Sequence, residues 1–328
     1  MKKIILISTS LLLVLGNIFF GSVELNVFSW FSLSTSQQEV LTTIIVENRI
    51  PRTLLAFFSG ASSALAGLAL QTIFKNPLAG PTTLGVNSGA SLGIVLYFFC
   101  VSALGFVPLD IGNGMFAITG ALVFLAFIIA LSLRFKSVTT VLVVGMLIGY
   151  VAYSLIEIII QSSSSTAISN YVFWGMGSFN GASFYNVSAV AVLAVFAYLY
   201  FRSKSNQLNL YLLGDSEMIM SGVSVKKVRV EVMIVAGVLV GVLTSVVGPL
   251  AFLGIAVPNL LKLQLKTLNH KVLIPFCVLV GGAFAVLADL LSRGVVFDVV
   301  LPVNAVLSML AIPVILILFF RKKNEVSS

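Results

Sequence analysis

Ten apolar runs recur along this chain, at 4–22, 51–72, 85–104, 114–133, 138–160, 186–201, 228–247, 250–264, 272–291 and 303–320. Runs of about 20 residues match a hydrocarbon core about 30 Å thick. In lipid every backbone N–H and C=O must be satisfied inside the segment, which leaves the helix as the spanning element. The chain is 59% hydrophobic and 9% charged, against about 25% charged in a soluble domain. The expectation is an all-α, polytopic integral membrane protein with about ten transmembrane helices. No polar block is long enough for a second domain, so residues 1–328 read as one.

The net charge of +8 raises nucleic acid as a partner, and its placement excludes it. The basic residues sit in short clusters between apolar runs, the pattern that orients a membrane protein. With ten spans and a cytoplasmic N-terminus, all basic residues but Arg49, Arg52 and Arg293 fall in inside loops, among them Lys75, Lys136, Lys262, Lys266 and the Arg321-Lys322-Lys323 run. Both termini are then cytoplasmic. The three outer arginines run against this bias, which marks them as candidates for docking an extracytoplasmic partner. Met1-Lys2-Lys3 and the apolar run to about Phe20 read as a retained first helix, because no small-x-small cleavage site follows.

Three connections carry character. Residues 23–48, with Glu24, Trp30, Glu39 and Glu47, read as an amphipathic lid or interfacial segment outside the membrane. Residues 162–185 carry a serine run, then Tyr171, Phe173 and Trp174, then Gly175, Gly177 and Gly181; they suit a short helix lying at the interface or an ordinary aromatic anchoring belt. Residues 202–227 are too long for a turn and read as two short helices broken at Gly214 and Gly222, with Asp215 or Ser216 capping the second. Leu208, Leu210, Leu212 and Leu213 make that segment too apolar for a solvated linker, so it is expected to touch a partner.

Ionisable residues inside spans are functional suspects by default. Glu231 has Lys227 four residues before it and Asp289 has Arg293 four after it, so boundary ion pairs are expected for both. Glu157, near the outer end of the fifth run, has no local base and faces either a water-filled vestibule or the interface. Cys100 and Cys277 lie in apolar runs and read as free buried thiols. His270, the one histidine, reads as a loop residue rather than a ligand. No span holds paired carboxylates or a His–Asp relay, and no HExxH, GxSxG or P-loop occurs. The chain is therefore expected to be no enzyme and to carry no metal or cofactor of its own. An ion-coupled secondary transporter using Glu157 is the rival class, and it lacks a mid-membrane ion site.

Several motifs occur in a specific order. They are Arg49-x-Pro51-Arg52-Thr53, Gly60-Ala61, Gly67-x-x-x-Gln71, Asn76-Pro77-Leu78-Ala79-x-Pro81 and Leu84-Gly85-x-x-Ser88-Gly89-Ala90. Leu213-Gly214, Gly222-Val223, Gly248-Pro249-Leu250-Ala251-Phe252-Leu253-Gly254-x-x-x-Pro258, Ala288-Asp289-x-x-x-Arg293 and Leu301-Pro302-Val303-Asn304 follow. Together, over about 40–323, they resemble the FecCD family, the membrane permeases of ABC importers for iron-siderophores, haem and cobalamin. The chain departs from the family at Asn259, where histidine is usual, at Lys262, where an arginine is usual, and at Met218 and Ser221, where alanine and leucine are common.

The resemblance implies a type II ABC importer permease fold in a bacterial cytoplasmic membrane. It implies a homodimer with a central pathway, an extracytoplasmic substrate-binding protein, surrounding lipid, and two cytoplasmic ATPase subunits that hold ATP and Mg. It also implies that Arg49, Arg52 and Arg293 meet acidic residues of the binding protein. Leu213, Gly214, Asp215, Ser216, Glu217, Met218, Gly222 and Val223 would form the ATPase contact. The pathway is expected between the fifth and tenth spans, with Gly145, Gly149, Ser154 and Glu157 on its wall and a mostly apolar, small-residue lining that lets a bulky iron chelate pass.

Overall fold

The computed structural model describes residues 2–20, 35–103, 105, 112–135, 137–294 and 299–326, with side chains as far as 317. Glu24, Trp30 and Lys136, and the side chains of Arg321, Lys322 and Lys323, lie outside the described residues. Fourteen α-helices occur among them and no strand. Eight are long and apolar enough to cross a membrane: α1 (Lys2–Phe19), α3 (Ile50–Ile73), α4 (Val86–Ala103), α5 (Gly112–Arg134), α6 (Val138–Gln161), α8 (Phe184–Ser203), α11 (Val225–Val247) and α13 (His270–Ser292). Two further apolar helices, α12 (Leu253–Leu265) and α14 (Val303–Val326, apolar through Ile317), complete the ten.

Short elements join them. The described part of 23–48 is not a separate lid. It is α2 (Thr35–Thr43), which buries no residue, and a π-helical turn (Ile44–Arg49) that runs unbroken into α3. The continuous helix has 39 residues, about 58 Å at 1.5 Å per residue, so it outruns the hydrocarbon and its polar start stands clear. Ser164 caps α7 (Ser165–Gly175), the short helix expected within 162–185.

α3 is the centre of the bundle, buried along nearly all its length from Leu55 to Ile73. Its small residues allow this. Lipid supplies no hydrophobic drive between helices, so van der Waals contact at close backbone approach holds them. A methyl group on Gly60 would overlap the carbonyl oxygen of Gly281 in α13, and one on Gly67 would overlap that of Gly254 in α12. Pro77 and Pro81 then turn the chain through a 3₁₀ turn (Pro81–Leu84) into α4.

Charges gather at two ends. At one, Lys2 reaches the Gln264 carbonyl, Lys75 pairs with Asp215, and Lys204 pairs with Glu231. At the other, Arg52 and Arg293 meet Asp289. Glu231 therefore takes Lys204, the residue that follows α8, at 3.1 Å, and the Tyr200 hydroxyl of α8, at 2.8 Å, rather than a pair with Lys227 on its own helix. The end of a facing helix offers two partners at once.

Candidate functional site

α12 is only 13 residues long, about 20 Å. Its first turn lies beside Ser63 and Gly67, halfway along α3. The irregular stretch Gly248–Phe252 before it thus sits at mid-membrane depth, a place where non-helical backbone survives only when buried in protein or lining a cavity. Here it does both. Asn304, at the start of α14, accepts from the Ala251 N–H at 3.1 Å and donates to the Pro249 and Gly175 carbonyls at 2.6 and 3.0 Å. Gly177 and Gly248, both at positive φ, let the end of α7 lie against this turn. The motifs Gly248–Gly254 and Leu301–Asn304, far apart in sequence, are one structural unit.

A cavity of about 430 Å³ opens beside it, walled by the 3₁₀ turn, α4, α6 and Asn304. Thr82, Thr83, Asn87, Ser88 and Ser91 line one side; Tyr150 and Tyr153 of α6 line another. Met146, Gly149, Pro249, Leu250 and Ala251 complete the lining, so hydroxyl, amide and phenol groups are set in a wall that is apolar over most of its area. No charged side chain lines it, and among the described residues no group of three His, Cys, Asp or Glu is placed to hold a metal ion. The Tyr171 hydroxyl of α7 lies above its ordinary pKa, raised first by burial and then by Tyr153, with a hydrogen bond to Ser91 opposing.

α6 resolves the four residues expected on the pathway wall into two faces. Gly145 and Gly149 are buried and pack against Thr83 and Ser88. Ser154 and Glu157 are exposed. Nine residues from Gly145 to Ser154 make about 180° at 3.6 residues per turn, so those two cannot share a face. Only Gly149 touches the cavity. Tyr150 and Tyr153, not singled out from sequence, are the long side chains that reach it. Their i, i+3 spacing, flanking a glycine face, was the available signal.

Two of the three outer arginines, Arg52 and Arg293, meet on one carboxylate, that of Asp289. Arg52 holds Asp289 Oδ1 through Nε and Nη2, each at 2.8 Å, and donates to Asn180. Arg293 holds Oδ2 through Nε at 3.0 Å and through Nη2. Asn17 of α1 donates to the same oxygen at 3.3 Å. Arg49 turns inward to cap α1, donating to the Ile18 and Phe19 carbonyls at 3.1 and 2.7 Å. Asp289 is 0% exposed, and a buried carboxylate requires such partners. Arg49 and Arg293 are therefore buried, a correction to their expected outward exposure, and Arg52 keeps an open edge. Burial pulls the Arg293 guanidinium below its ordinary pKa, with Asp289 opposing.

At the lysine-rich end the two short helices stand where expected: α9 (Ser205–Leu213) and α10 (Asp215–Met220). Gly214 joins them at φ 142° and Gly222 follows at φ 73°, conformations that favour glycine. Gly214 is itself the N-cap of α10; Asp215 does not cap but pairs with Lys75 at 3.2 Å. Leu208, Tyr211 and Met218 are buried inward, while Leu213, Ile219 and Met220 are 68%, 68% and 78% exposed. His270 is not a loop residue. It is 1% exposed at the start of α13 and bonded on both ring nitrogens. Asn259 ties α12 to the Pro77 carbonyl at 2.7 Å, and Lys262 donates to Gln71 at 2.6 Å, so both departures from the family pattern are internal braces. Cys277 is buried, Cys100 is half-buried, and both are free.

The sequence matches the model of the FecCD transport family over residues 8–321. It is 32% identical over 299 residues to the vitamin B12 import system permease protein BtuC of Photorhabdus laumondii, covering 90% of this chain and 85% of that one. To the protein of the same name from Salmonella typhi it is 30% identical over 273 residues, covering 83% and 82%. The fold matches the solved inward-facing structure of a metal-chelate type ABC transporter with a TM-score of 0.85 and 28% identity, covering 97% of this chain and 99% of that one. PsaBC from Streptococcus pneumoniae, at TM-score 0.55 and 15% identity, shares the fold alone. The ten apolar helices, the mid-membrane turn beside a cavity and a family match over nearly the full length agree, and the chain belongs to the FecCD transport family as a membrane-spanning ABC importer permease.

Proposed function

We propose that this permease carries a preformed iron chelate, a ferric siderophore or haem, inward across the cytoplasmic membrane. The observation that carries the reading is the cavity beside α6 and Asn304. Its wall, apolar over most of its area with hydroxyl, amide and phenol groups set in it, suits the outer atoms of a chelate whose metal is already fully coordinated. It offers a bare ferric ion no carboxylate or imidazole set. In this reading two copies face each other through α6 and α14, whose exposed residues Leu147, Val151, Leu155 and Ile158 close the cavity into a central pathway. The lysine-rich end is cytoplasmic, following the positive-inside rule. Leu213, Ile219 and Met220 seat in two partner ATPases, which hold ATP and Mg and supply all the hydrolysis. A binding protein delivers the cargo at the arginine–aspartate end.

Cobalamin is the second reading, favoured by the vitamin B12 permeases at 30–32% identity. The complex of permease, ATPase and binding protein in liposomes separates them. ATP-dependent uptake of ⁵⁵Fe-labelled siderophore or haem, with no cobalamin uptake, is the expected result. Uptake of cobalamin alone transfers the assignment to the second reading, and uptake driven by an ion gradient without ATP overturns both.

A further inference from the structure

The last turn of α3 is joined to α9, the first of the two short helices at the lysine-rich end, through one buried joint. Thr72 Oγ1 lies 2.7 Å from His270 Nε2 in α13, and His270 Nδ1 lies 2.8 Å from Asn209 Oδ1 in α9. The roles follow from the partners. Asn209 Oδ1 also receives the backbone N–H of His270, at 2.9 Å, so it is an oxygen and Nδ1 must donate to it. In the neutral ring Nε2 is then an acceptor, and the one Thr72 hydroxyl proton is shared between it, at 2.7 Å, and the Leu68 carbonyl, at 2.9 Å. Asn209 Nδ2 donates to Asn269, the N-cap of α13, at 3.0 Å.

A second tie is the Lys75–Asp215 pair, with Lys75 5.5 Å from the Tyr211 ring, joining α3 to α10. From the same turn Gln71 reaches the Gly254 and Ile255 carbonyls of α12, both at 3.3 Å, and takes Lys262. The end of α3 thus grips α9, α10, α13 and the short helix whose first turn adjoins the cavity wall.

We propose that Thr72, His270 and Asn209 are positioning residues that pass a displacement of α9 into α3 and α12, and so set the cavity from the ATPase side. The inference rests on the importer reading above. An imidazole held at both nitrogens is rigid in direction, so α9 cannot shift without moving α3 or breaking a buried bond. Leu208 packs α9 inward without fixing a direction, and the Tyr211 hydroxyl, which accepts from Arg229 Nε at 3.3 Å, ties α9 to α11 rather than to α3.

The test uses the assembled importer in liposomes and reads the ratio of ATP hydrolysis with and without loaded binding protein. Thr72→Val keeps the shape and removes the hydroxyl; Asn209→Leu removes the other end; Thr72→Ser keeps the bond. The ratio should fall about five- to tenfold in the first two, in the range of site-to-site coupling, with basal hydrolysis unchanged and Thr72→Ser like the parent. The double variant should fall no further than either single, since both cut one path. An unchanged ratio overturns the proposal, as does a parallel fall in both rates or failure of the variants alone to assemble, which would make the joint structural only. If the parent complex itself shows no ATP-dependent uptake, the importer reading fails instead.

Discussion

Asp289 shows what single residues decide here. Its carboxylate is fully enclosed and shared by Arg52, Arg293 and Asn17, so α1, α3 and α13 meet on one charge. Breaking a buried pair by removing one partner leaves uncompensated charge and costs about 3–5 kcal/mol. Asp289→Ala should lower stability by that amount, seen as a loss in thermal or denaturant unfolding of the detergent-solubilised protein, whereas Glu157→Gln at an exposed site should change it by less than about 0.5 kcal/mol. The Asp289–Arg293 pair was legible from i, i+4 spacing. The addition of Arg52, 237 positions away, was not, because that spacing carries no local period. The same limit hid His270, whose partners Thr72 and Asn209 lie 198 and 61 positions off.

At the scale of elements, helices are set by local periodicity and their contacts by small residues. Gly67 meets the Gly254 backbone with no room for a side chain. Gly67→Leu should force α3 and α12 apart and cost about 3 kcal/mol or more, measured as reduced thermal stability and altered proteolysis between α11 and α12. The break between α9 and α10 makes a different prediction. Gly214 and Gly222 hold positive φ at exposed or half-exposed positions, so Gly214→Val with Gly222→Val should strain the connection and leave the bundle folded. Assembled with its ATPase, that double variant should keep normal thermal stability and lose binding-protein-stimulated hydrolysis; normal transport would rule out the coupling role of 213–223. The boundaries of α4, α6 and α11 were readable to within a few residues, because caps such as Ser137 and Ser224 mark their starts. The two faces of α6 were less so, since small and polar residues occur on both.

For the whole molecule, the proposed pairing of two copies puts the exposed half of α6 at their interface. In a Cys100→Ala background, with Cys277 buried, Ser154→Cys or Ile158→Cys should cross-link two chains in membranes. Cross-linking only through added cysteines in α1 would move the pathway elsewhere. Arg52 is the one of the three outer arginines left with an open edge, and the proposed binding protein would meet it there. Arg52→Glu should weaken binding-protein association, more so at low salt, because a rim charge acts mainly on encounter and register. Equal affinity at low ionic strength would remove Arg52 from the docking surface.

The sequence alone determined the class of solvent, the ten apolar helices, the end at which lysines gather and the two short helices at 205–220. Each follows from composition, a local period or a glycine at a turn, all properties of neighbours along the chain. Tertiary structure alone decided that Gly248–Phe252 lies at mid-depth, that Asn304 closes it, and that Thr, Ser and Asn side chains of the 3₁₀ turn and α4 share the cavity wall with Tyr150 and Tyr153. It also decided that Arg49 and Arg293 are spent on internal bonds. Those outcomes depend on which helix faces meet. In lipid, close packing of small residues sets that choice, and a one-dimensional pattern records that glycines will be approached, not by what.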